Sequence, residues 1–154
     1  MSLFGWMRKA VVGGPESELK FTPEEKTMPM LDLHEALDAH ANWKSRVERK
    51  LSNPQFVFGV ESVAADNQCK LGKWLHGSAQ KLFGHLPEYQ IARAAHAEFH
   101  ASAAGVLTQY EAGNVNEAYT LLRGEFQHAS DASQLALVKL FAAAKVQEQV
   151  KRRH

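Results

Sequence analysis

From Leu31 onward the apolar residues of this chain recur at helical spacing, and no stretch of useful length alternates with the period of a strand. That regularity confines the fold to the all-α class, an antiparallel helical bundle of about four to five helices joined by short connections. Leu31, Leu33, Leu37, His40, Val47 and Leu51 form the stripe of a first helix that ends near Asn53-Pro54. A second helix is expected over roughly residues 60–75, with Cys69 inside it. Gly77 and Gly84 bracket a connection, and Pro87 suits the first turn of a third helix that stops at Gly113-Asn114. Asn114 or Asn116 caps a fourth helix running to about His128, and Ser130 or Asp131 a fifth running toward the C-terminus.

The bundle is thus expected over residues 31–150. Residues 1–30 read as a separate, loosely structured extension, because Gly13-Gly14-Pro15, Pro23 and Pro29 preclude one long helix there. A chain of 154 residues with 45% hydrophobic content can bury one real core. Its net charge of +1 supplies no electrostatic reason to bind nucleic acid. The basic end Lys151-Arg152-Arg153-His154 suits the C-terminal pole of a helix dipole. No run approaches the length of a membrane span, so no integral membrane segment is expected. The N-terminus has its basic pair Arg8-Lys9 after the apolar residues, the reverse of a secretory signal. A cytoplasmic protein with a reduced thiol is the expectation.

One cysteine, Cys69, cannot form an internal disulfide, which leaves packing, redox reactivity or metal binding. His96 and His100 stand four apart, the spacing at which one helix offers two ligands to one ion. Further ligands must come from neighbouring helices, and His40 and Cys69 each lie in a different one. One thiolate with imidazoles is a donor set that favours zinc over magnesium or calcium. An HxxxH pair also arises by chance in a chain with eight histidines, and a lone cysteine is often a small buried hydrophobe.

The runs His40-x-x-Trp43, then Cys69-x-Leu71-Gly72-x-Trp74, then His96-x-x-x-His100 resemble the chemoreceptor zinc-binding domain family of bacteria. The resemblance covers roughly residues 31–145, nearly all of the expected bundle. It implies a helical bundle holding Zn²⁺ through His40, Cys69, His96 and His100. It further implies a regulatory role in bacterial signalling and chemotaxis, responding to zinc or to oxidation of the cysteine, often within a homodimer. Such domains are usually attached to chemoreceptors or diguanylate cyclases. The short segment before this bundle has no room for such an output, so a stand-alone domain signalling to a separate protein of that type is expected.

Gly72 is expected to admit a neighbouring helix closely, and Trp43 and Trp74 to wall the ion from water. Glu98 should point away from it. His34, His76, His85, His128 and His154 match no motif position, although His76 and His85 are alternative ligands should His40 not serve. Three rival functions are weighed. A zinc protease needs HExxH, and the glutamate position here is Ala97, so an enzyme is not expected. A di-iron bundle needs two Glu-x-x-His motifs, and only Glu125-Phe126-Gln127-His128 has that form. A helical interaction module with purely structural zinc would use the same ligands.

Overall fold

The computed structural model describes residues 33–153. The expected extension over residues 1–30 lies outside them. Among the described residues there are helices and no strand, as the periodicity requires. Three long helices form the frame: α1 (Leu33–Ser52), α5 (Pro87–Glu111) and α7 (Glu125–Arg153). Between α1 and α5 lie three short ones, α2 (Val60–Ala64), α3 (Lys70–His76) and α4 (Ser78–Phe83). The nine-residue helix α6 (Val115–Arg123) links α5 to α7.

The third expected helix is found nearly as read. Pro87 opens α5, and Gly113 ends it with φ +87, a backbone conformation that a side chain resists. Three boundaries differ. The expected second helix is two helices, broken over residues 65–69, where Asp66 and Asn67 favour turns over helix. Cys69 therefore caps α3 instead of lying inside a helix. The connection expected between Gly77 and Gly84 contains α4, and the break between the last two helices falls at Gly124, before His128 rather than after it. With these short helices the described residues hold seven helices, and the all-α bundle class holds.

α7 runs antiparallel to α1 and α5. His40 of α1 meets Ser130 near the start of α7, while the Gln147 side chain, near its end, donates to the Leu82 carbonyl just before α5. The core forms two apolar clusters along this frame. One gathers Leu33, Leu75, Phe83, Tyr89, Leu137 and Leu140, and the other Val47, Phe99, Val106, Leu107 and Phe126. Trp43 packs against both. The buried histidines His40, His96 and His100 lie on the frame helices between them. No helix among the described residues is long and apolar enough to cross a membrane.

Candidate metal centre

Helical spacing places His96 and His100 on one face of α5, with ring centroids 4.6 Å apart. Cys69 reaches them from the N-cap of α3. Its Sγ accepts the Gly72 backbone N–H at 3.2 Å, so the same atom caps the helix and faces the imidazoles. Sγ stands 3.3 Å from His96 Nε2 and 3.5 Å from His100 Nε2. Zinc–sulfur and zinc–nitrogen bonds in a tetrahedron would set such atoms about 3.6 Å apart. These three residues form a buried group whose donor atoms lie within 4.8 Å of one another.

The hydrogen bonds around the group suit a cation. His100 Nδ1 lies 2.7 Å from the Val63 carbonyl of α2, an acceptor only, so the ring proton sits on Nδ1 and the Nε2 lone pair faces Sγ. His96 Nδ1 is buried without a partner, so no second bond fixes that ring's tautomer. With its Nε2 unprotonated as well, one thiol proton cannot serve both imidazoles, whereas one metal ion serves both and the thiolate. His40 is less tightly placed. It lines the same small space as Cys69, His96 and His100, together with Trp43 and Phe99, and its ring lies tilted against that of Phe99, with centroids 4.1 Å apart. It is not part of the compact three-residue group. Its Nε2 lies 2.8 Å from Ser130 Oγ, and its Nδ1 is buried without a partner. An Nε2–H donated to Ser130 leaves a bare lone pair on Nδ1, the state in which an imidazole ligates metal.

Each of the three histidines is at most 2% exposed, and that burial sets their chemistry. Loss of solvation, aided by Lys44, holds His40 down to about 4, and loss of solvation with His100 nearby holds His96 down to about 3. Burial also lowers His100, opposed by its bond to Val63. Burial pushes the Cys69 thiol up from its ordinary value. At neutral pH the imidazoles are therefore already neutral, each with one unprotonated nitrogen, and the thiol alone must release a proton to bind metal. Calorimetry in buffers of different ionisation enthalpy should count about one proton released per zinc. Affinity should rise about tenfold per pH unit from near neutral up to the raised thiol value, because bound metal favours the thiolate. A pH-independent affinity would contradict this assignment.

The remaining sequence-based roles divide. Trp43 does shield the group, its ring 5.4 Å from that of His100, whereas Trp74 stacks on Phe141 at 5.1 Å and does not line the site. The close approach at Gly72 is not to a neighbouring helix. A Cβ there would overlap the carbonyl oxygen of Asp66, in the turn just before Cys69. Glu98 is exposed, as expected. Of the other histidines, His85 and His128 are exposed, His34 is half-buried, and His76 is hydrogen-bonded to Asp66 and Arg93. His154 lies outside the described residues. Glu125 and His128 are both exposed, which removes the one motif that suggested a di-iron centre. The Val63 carbonyl escaped sequence reasoning because a backbone acceptor has no residue signature. Ser130 was legible only as a helix cap.

The family model for the chemoreceptor zinc-binding domain matches residues 40–107, a span that begins on His40 and contains Cys69, His96 and His100. No curated protein and no solved structure matches the chain.

Proposed function

We propose, from the premise that residues 40–107 are a chemoreceptor zinc-binding domain, that this chain is a regulatory protein reporting zinc or oxidant through one bound Zn²⁺. The domain family binds zinc and is regulatory rather than catalytic. The observation that carries the reading is the buried Cys69 sulfur facing both His96 Nε2 and His100 Nε2. His40 is the fourth ligand in this proposal, supported by its place in the lining of the same space and by its unpartnered Nδ1. That space has no room for a water molecule, which favours four side-chain ligands over an open catalytic position.

Sensing rests on the sulfur. Peroxide or hypochlorite adds one oxygen to the Cys69 thiolate, giving a sulfenate that is a poorer ligand. Only the imidazoles would then remain as full-strength donors to a bound ion, and α3 would lose its anchor on α5. The output is a second protein of chemoreceptor or cyclase type, and the signalling unit is a homodimer. Leu135, Val146 and Val150 support that pairing, since each is more than half exposed on α7.

Treating zinc-loaded protein with peroxide while following the free metal by a chelating dye tests the sensing step. Release in proportion to Cys69 oxidation, read by mass spectrometry, is expected. Full retention of zinc after confirmed oxidation would instead leave the ion a structural clamp of the bundle. Mass measurement in solution checks the dimer.

A further inference from the structure

Beside the zinc ligands lies a polar chain that the metal chemistry does not use. Asp66 Oδ2 is 3.2 Å from His76 Nε2, and His76 Nδ1 is 3.2 Å from an Arg93 terminal nitrogen. The other Arg93 terminal nitrogen reaches the Tyr89 hydroxyl at 3.5 Å, and that hydroxyl donates to the Leu75 carbonyl at 2.7 Å. A guanidinium only donates, so His76 Nδ1 must accept and its Nε2–H must donate to Asp66. Every group in the chain then has one role, and the ring is fixed in one tautomer.

The placement of these residues matters more than their number. Tyr89, Arg93, His96 and His100 follow one another at spacings of four, three and four along α5, so the anchors of the polar chain and two zinc ligands share one rigid face. Asp66 belongs to the turn between α2 and α3. That turn joins Val63, whose carbonyl orients His100, to Cys69, which supplies the sulfur. α3 is thus tied to α5 at both ends, by Cys69 at its start and by Leu75 and His76 at its finish. The Asp66 carbonyl also occupies the space where a Cβ of residue 72 would stand, so the turn packs closely on the first turn of α3.

We infer that Asp66, His76 and Arg93 form a clasp that positions the segment 63–69 against α5 and so sets how fast the site opens. The inference rests on the zinc reading above for its metal arm only. These are positioning residues, since none is a proposed ligand. Half-buried hydrogen bonds of this kind restrain motion without closing the segment permanently, which suits a site that must let its sulfur be reached.

The test uses Asp66→Ala and His76→Ala, with Asp66→Asn as the conservative variant that keeps an acceptor for His76 Nε2–H. Zinc transfer to a competing chelator should be about tenfold faster for the two alanine variants, the scale on which residues supporting metal ligands act. Asp66→Asn should stay close to the unmodified chain. In zinc-free protein, alkylation of Cys69 by iodoacetamide should accelerate in the same order, because the thiol is otherwise buried. Circular dichroism identifies folded variants, and Asp66→Asn against His76→Ala suffices if Asp66→Ala does not fold. Unchanged zinc transfer and unchanged alkylation in the folded variants would overturn the clasp. If the unmodified chain holds no zinc, the metal reading fails by itself, and alkylation still decides on the clasp.

Discussion

Cys69→Ala should lower zinc affinity by about 10²-fold or more, the largest effect of any single side-chain removal. A closed zinc site of this type is worth about 10–16 kcal/mol near neutral pH, so one of the four proposed donors accounts for roughly 3 kcal/mol. The thiolate is also the only ligand that brings a negative charge, which offsets part of the ion's charge in an apolar enclosure. His100→Ala should act comparably, since it removes both a ligand and the group held by the Val63 carbonyl. His34→Ala is the control. His34 is half-buried, pairs with Asp38 along α1 and is not part of the compact group, so zinc affinity should not change. Competition titration against a chelator of known affinity reads all three. Equal affinities in the three variants would dismantle the site.

Gly72→Ala should damage both stability and zinc binding, although residue 72 touches no metal. Its added methyl would overlap the Asp66 oxygen and sit 2.8 Å from the Asp66 carbonyl carbon. Backbone atoms cannot turn aside as the end of a side chain does, so the whole turn over residues 66–69 must move. Cys69 moves with it, and the Gly72 N–H···Sγ cap is lost or lengthened. Steric conflict of this kind costs about 3 kcal/mol, the upper range for single substitutions. Thermal unfolding of the zinc-free protein should show that loss, and zinc affinity should fall in parallel. Gly105→Ala is the comparison, because a Cβ there meets nothing within 4 Å. Equal melting temperatures for the two variants would contradict the close-approach account.

The frame of the fold was legible because long amphipathic segments declare their period. α5 was readable at both ends, since Pro87 and Gly113 each impose a backbone constraint that acts locally. The stretch from Asn53 to Leu86 was not, because its short helices are held by tertiary contacts rather than by their own propensity. Cys69 illustrates the difference. Its sequence neighbours marked it as important, but its position as an N-cap depends on a turn packed against Gly72, which periodicity does not reveal. The pair His96 and His100 was fixed by helix geometry alone. His40 was not, because its distance from the other three depends on how α1 sits on α5 and α7. The Asp66, His76 and Arg93 chain joins three separate segments and leaves no trace in local spacing.

Extended X-ray absorption at the zinc edge, on protein purified without a metal-affinity tag, tests the central claim most directly. One zinc per chain is expected, with one sulfur at about 2.3 Å and three nitrogens at about 2.0–2.1 Å. His40→Ala should remove one of those nitrogens and leave the sulfur. A chain that carries no zinc, or an ion surrounded by oxygen donors without sulfur, would contradict the assignment of Cys69, His96 and His100 as its site.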